Sequence, residues 1–266
     1  MARRRRSGRP SSLPGVAVLV VVGALVVAVF GGIGFYIYWT TSHFEPIDDV
    51  TLCPKKGIVA QSIVLLDTTD AFAEVTRSDV LNKLDDLVKS VPKGGLLDVR
   101  ILDENPGQIG RVVSLCNPGD GADAPNPELA RKKWEKGFAE PVRGSLDRAV
   151  SGTEQRYSPI LAAIQQVAAE LISSAHQKTI PTRVVVVSDL LENTSFYSMF
   201  HDGPSFEKFV TKAGARYLTD LAGADVEFWM VQRDRPAIDQ TKLAEFWLRW
   251  TDASGGHGRV TRLMGM

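Results

Sequence analysis

The chain has 266 residues, 31 Lys and Arg against 31 Asp and Glu, and two cysteines. That length allows one sizeable α/β domain with an appendage, or two small domains. Charge is distributed unevenly: residues 1–40 hold five arginines (Arg3, Arg4, Arg5, Arg6, Arg9) and no acid, leaving 26 basic residues against all 31 acidic ones in the rest, and such a mildly acidic body counts against a nucleic-acid-binding domain.

Residues 1–14 read as a polar, basic arm. The stretch 16–38 carries no charge, and at 1.5 Å per residue it crosses a hydrocarbon core of about 30 Å with some tilt. A cleaved signal peptide has a shorter apolar part, about 7–15 residues, followed by small residues. Here Tyr36, Tyr38 and Trp39 follow, as at a membrane interface. Residues 15–39 are therefore read as a transmembrane helix, residues 40–56 as a linker and residues 57–266 as one extracytoplasmic domain. The arginine arm is placed in the cytoplasm by the positive-inside rule.

The first strand of that domain is Ile63 to Leu66, a short apolar run ending abruptly in Asp67, Thr68, Thr69 and Asp70. Such a run fits a strand covered on both faces. Val80, Leu81, Leu84, Leu87 and Val88 then share one face of a helix over Ser78 to Ser90. Leu96 to Leu102 and Arg111 to Cys116 are a second and third strand. The turn at Asn105, Pro106 and Gly107 is too short for a parallel crossover, so these two should be antiparallel. A helix from Glu128 through Trp134 and Phe138 is expected to break at Pro141 and resume to Val150. Ser158 and Pro159 read as cap and first position of a helix reaching about Ala175. Thr182 to Ser188 is a fourth, very apolar strand, and Asp189 ends it. A helix over Phe206 to Leu221, a strand over Val226 to Val231, a helix over Lys242 to Trp250 and a last strand near Arg259 to Leu263 complete the chain.

Strands alternating with helices after one early hairpin specify an α/β, doubly wound, mostly parallel central sheet with one antiparallel edge strand. Right-handed crossovers place the first and fourth strands side by side. Asp67 and Asp189 then converge at the carboxyl edge, where open α/β sheets bind ligands, and Ser158 sits over the same crevice.

These residues resemble the von Willebrand factor A-like family. Its adhesion-type metal site pairs an Asp-x-Ser-x-Ser loop after the first strand with a Thr on a later loop and an Asp after the fourth strand. Asp67 and Thr69 match the first loop, Ser158 the later Thr and Asp189 the last Asp. The resemblance implies a Rossmann-like fold, a Mg²⁺ site (Mn²⁺ or Ca²⁺ as substitutes) built from Asp67, Thr69, Ser158 and Asp189, and a protein partner that offers an acidic side chain to the metal. Ala71 stands where the family has its second loop hydroxyl, so one ligand oxygen is lost. Asp70, Glu192 and Asn193 are auxiliary or rim residues. Mg²⁺ takes six oxygens and keeps some waters, which suits neutral hydroxyls beside two carboxylates. In a reading without metal, Asp67 and Asp189 cap helix ends and loop amides.

Cys53 and Cys116 lie beyond the membrane, where disulfides persist. A bridge is favoured over two buried thiols. In the expected strand order it closes at the sheet edge opposite Asp67.

The function expected is a non-enzymatic, single-pass binding module of the inner membrane, with its domain in the periplasm. Two alternatives stand beside it: a metal-dependent hydrolase, phosphatase or nuclease, using Asp67, Asp70 and Asp189, and a metal-free scaffold subunit of a membrane assembly. No Gly-x-Ser-x-Gly elbow and no phosphate loop is present.

Overall fold

The computed structural model describes residues 15–42, 46–69, 74–102, 108–121, 126–150, 157–172, 179–231 and 238–263. The basic arm, Asp70, Ala71 and the turn at 105–107 lie outside the described residues. Two compact units are present, Met1–Pro46 and Ile47–Met266.

The first unit contains helix α1 (Gly15–Ser42). Its stretch Ala17–Trp39 is long and apolar enough to cross a membrane.

The second unit is a six-stranded sheet in the order β3-β2-β1-β4-β5-β6, the order of a doubly wound fold. Its strands are β1 (Gln61–Leu66), β2 (Leu96–Leu102), β3 (Ile109–Cys116), β4 (Thr182–Ser188), β5 (Asp225–Val231) and β6 (His257–Leu263). All neighbours are parallel except β2 and β3, whose short connection forces the antiparallel pairing. Every residue of β1 is buried, because helices cover both faces of the central strands.

Side-chain alternation sorts the core into two layers. Ile63, Leu65, Val184 and Val186 pack under α5 (Ile160–Val167) and α9 (Gln240–Ala253) on one face. Val64, Leu66, Val185 and Val187 pack under α2 (Glu74–Ser90) and α4 (Glu140–Ala149) on the other. In α2 the buried Val80, Leu84, Leu87 and Val88 recur at helical spacing. In α9 the Asp239 side chain accepts from Thr241 N and Lys242 N, starting the helix. The aromatic face of α9 is core, with Phe246, Trp247 and Trp250 at or near zero exposure.

Three local expectations change. Pro141 does not break its helix: α3 (Pro127–Trp134) continues through a wide π turn, Glu135–Ala139, into α4. The wide turn resets the hydrogen-bond ladder, and proline sits at the opening of the next segment, where no N–H is needed. The helix after β4 ends earlier than Leu221, running as α7 (Phe206–Phe209), a π turn and α8 (Ala215–Tyr217) after the short α6 (Met199–Asp202). Ser158 does not cap α5; Pro159 occupies the cap position and makes no side-chain bond.

At the amino edge of the sheet Cys53 and Cys116 form a disulfide across 63 residues of sequence. Cys116 N also donates to Thr51 O at 2.9 Å, and Ile47 bridges Pro54. Residues from Ile47 onward thus belong to the folded unit. The staple lies at the end of the sheet opposite Asp67, since β3 runs antiparallel and finishes where β1 begins.

Candidate functional site

The crevice between β1 and β4 is where the sheet changes direction of winding, since β1 is followed by α2 on one face and β4 is preceded by α5 on the other. Ligands of open α/β sheets bind at such a point. Strand register brings the site residues there. Leu66 pairs with Val187 and Asp67 N donates to Val187 O at 2.9 Å, so Asp67 falls beside Ser188, the last residue of β4.

Asp67 is fully buried, and each of its carboxylate oxygens accepts two hydrogen bonds. Oδ1 takes Thr69 N at 3.1 Å and Thr69 Oγ1 at 2.6 Å. Oδ2 takes Ser158 Oγ at 2.9 Å and Ser188 Oγ at 2.6 Å. Three hydroxyls from three different segments therefore point their protons at one carboxylate. A hydroxyl that donates its proton retains two acceptor lone pairs. Thr69 and Ser158 accordingly keep the capacity to ligate a hard cation while Asp67 orients them.

Asp189 follows Ser188 and is half-buried. Its Oδ1 accepts from Leu191 N at 3.0 Å and lies 3.5 Å from Ser188 Oγ. Burial first, then the charge of Asp67, push its carboxyl up to about 7, against the bonds from Leu191 and Ser188 that favour the ionised form. Two carboxylates share a site whose hydrogen bonds to Asp67 come from neutral donors. A divalent cation fits that donor set: it would be held by Thr69, Ser158 and Asp189 with Asp67 behind the hydroxyls, and it would relieve the repulsion that raises Asp189. Asp70 falls outside the described residues, and Ala71 brings no oxygen in its side chain.

Glu192 does not stand on the rim. It is buried with no exposed surface, and its Oε2 accepts from Leu161 N at 2.9 Å, at the first turn of α5. It supplies the helix cap expected of Ser158, which frees the serine hydroxyl for Asp67. Burial pushes the Glu192 carboxyl up to about 8, opposed by the amides of Leu161 and Ile160. Asn193 is half-buried; its backbone exchanges hydrogen bonds with Ser158, and its side chain accepts from Ser198 Oγ at 2.9 Å. Beyond it opens a cleft of about 450 Å³ whose lining includes Tyr157, Asn193, Phe196, His201 and Lys212.

Sequence reasoning misses Ser188 and the residue after Asp189. Ser188 was legible from strand parity: it shares the face of Val184 and Val186, so it must flank Asp67 once the two strands are paired. Leu190 has φ +64°, an outlying conformation for a bulky residue that costs on the order of 1–3 kcal/mol and recurs at functional sites. No sequence signal marks it.

No family model and no curated protein matches the chain. Solved structures similar to it include a von Willebrand factor type A protein from Catenulispora acidiphila (9% identity, TM-score 0.39, covering 77% of this chain and 39% of that one). The ArnB paralogue VWA2 from Sulfolobus acidocaldarius is another (10% identity, TM-score 0.40, 76% and 41%). A third is an aerotolerance-related membrane protein from Bacteroides fragilis (12% identity, TM-score 0.35, 76% and 91%). This chain thus spans about two fifths of the first two.

Proposed function

We propose that the chain is a membrane-anchored binding module, not an enzyme, that engages a protein partner through a divalent cation at the Asp67 edge. The observation that carries this reading is the donation of Thr69 Oγ1 and Ser158 Oγ, from separate loops, onto opposite oxygens of one buried carboxylate. That arrangement aims neutral oxygens into the crevice without adding charge. Mg²⁺ is the ion best suited, with Mn²⁺ or Ca²⁺ as substitutes. When bound, it supplies an electrophilic position for an acidic side chain of the partner. Thr69, Ser158 and Asp189 hold that position, while Asp67 and Ser188 set their orientation. The apolar stretch Ala17–Trp39 anchors the module. The arginine arm faces the cytoplasm, and the domain lies on the extracytoplasmic, periplasmic side, where the Cys53–Cys116 bridge persists.

A metal-free scaffold is the second reading, favoured by one fact: both oxygens of Asp67 already accept two bonds each. The hydrolase reading requires Asp70 beside Asp67 and Asp189, and Asp70 lies outside the described residues. Calorimetric titration of the full chain in detergent with Mg²⁺, Mn²⁺ and Ca²⁺ tests the proposal. Saturable binding of at least one ion is expected; no heat with any of them leaves the scaffold. Phosphatase or nuclease turnover abolished by Asp67→Asn would instead establish an enzyme.

A further inference from the structure

We propose that Trp247, in the core helix α9, is a positioning residue for the candidate cation site, acting through the backbone of Leu190. The proposal rests on the cation reading above. Trp247 is fully buried, and its indole Nε1 donates to Leu190 O at 2.9 Å. Leu190 immediately follows Asp189 and holds φ +64° with no exposed surface. A leucine left to itself abandons that region for φ below zero. Such a change turns the peptide units on both sides of Leu190. On one side is Leu190 N, which donates to Ser188 Oγ at 2.8 Å; on the other is Leu191 N, which donates to Asp189 Oδ1 at 3.0 Å.

The bonds form a continuous series from the core to the site. Trp247 holds Leu190 O, Leu190 N holds Ser188 Oγ, and Ser188 Oγ donates at 2.6 Å to the same Asp67 oxygen that Ser158 reaches. Packing alone does not demand tryptophan at this position. The ring contacts of Trp247, with Phe228 at 5.1 Å, Phe246 at 5.4 Å and Trp250 at 5.8 Å between centroids, are of a kind phenylalanine also makes. Phenylalanine has no N–H to donate to the Leu190 carbonyl. The same helix carries an internal control: Trp250, equally buried, donates its Nε1 to Tyr217 O at 3.2 Å, away from the Asp189 loop.

The experiment compares Trp247→Phe with Trp250→Phe in the full chain. Mg²⁺ or Mn²⁺ affinity is read by calorimetry, thermal stability by unfolding, and exchange of the Leu190 and Leu191 amides in metal-free protein by hydrogen–deuterium exchange. Both variants lose one buried indole bond, so both are expected to unfold at lower temperature. Trp247→Phe alone is expected to weaken cation binding about tenfold, the low end of what outer-shell partners of metal ligands contribute, and to speed exchange at Leu190 and Leu191. Equal effects of the two variants on affinity and exchange, or no effect of Trp247→Phe on either, would overturn the proposal. If the wild type binds no cation, the cation reading fails by itself; the exchange comparison in metal-free protein then still decides whether Trp247 holds the loop.

Discussion

Replacing Thr69 with valine removes one oxygen and almost no volume, so it isolates the hydroxyl's work. Thr69 is 3% exposed and donates to Asp67 Oδ1 at 2.6 Å. A hydrogen bond to a charged group is worth about 1.5–3 kcal/mol. Valine recovers part of this, because no hydroxyl then needs to be desolvated, leaving a loss of about 1–2 kcal/mol. For a domain of this size each kcal/mol moves Tm by about 2–4 °C, so Thr69→Val should unfold some 2–8 °C below wild type without added cation. Thermal unfolding of the two proteins, with and without Mg²⁺, reads both roles of the hydroxyl. A saturating cation at about 100 times its Kd stabilises the wild type by about 2.7 kcal/mol, and the variant should gain less. A variant that melts at the wild-type temperature would show that Asp67 does not depend on this hydroxyl. One that gains the same stabilisation from Mg²⁺ would show that Thr69 is not a ligand.

Breaking the Cys53–Cys116 bridge by Cys53→Ala with Cys116→Ala should cost about 4 kcal/mol by loop entropy for its separation of 63 residues; urea unfolding of the oxidised protein and the double variant measures it. Hydrogen bonds from Arg259 and Arg183 overcome burial and hold Glu227 down at about 2, below its usual 4.5. The folded value lies under the unfolded one, so this stabilisation is complete above pH 4.5 and is lost as pH falls toward 2, whereas Glu227→Gln should flatten that part of a stability-against-pH curve. Glu192 shifts the opposite way, to about 8; its protonated form favours the fold at low pH, and stability declines as pH rises from about 4.5 through 8. Glu192→Gln, which keeps an oxygen for Leu161 N, should remove that decline and be the more stable protein at pH 9. Cation binding below pH 7 should release protons from Asp189, held near 7; the observed calorimetric heat would then vary with the ionisation enthalpy of the buffer.

The sheet was legible because its signals are local and redundant. The apolar runs at Ile63–Leu66 and Val184–Val187 are too short for helices, and the turn after Leu102 is too short for a crossover. Together they specify the strand order around Asp67. Ser158 was read at the Asp67 crevice, but the cap of α5 was not legible, because capping signals are local sequence patterns and this cap is supplied from 31 residues away, by a buried glutamate after β4. Polar residues inside strands were equally opaque. Asp98 and Arg100 on β2 are almost fully buried and bonded to each other at 2.6 Å, with Glu170 as a further partner, a pairing that needs the helix beyond α5 to exist before it can be seen. The strain at Leu190 depends on Trp247, 57 residues later, for the same reason.

The central claim is that a divalent cation sits among Thr69, Ser158 and Asp189. Anomalous diffraction from crystals of the protein grown or soaked with Mn²⁺ tests it most directly. The account predicts a peak bonded to the hydroxyl oxygens of Thr69 and Ser158 at about 2.0–2.3 Å, with water completing the shell in place of the hydroxyl that Ala71 lacks. Crystals saturated with Mn²⁺ that show no peak there would contradict it.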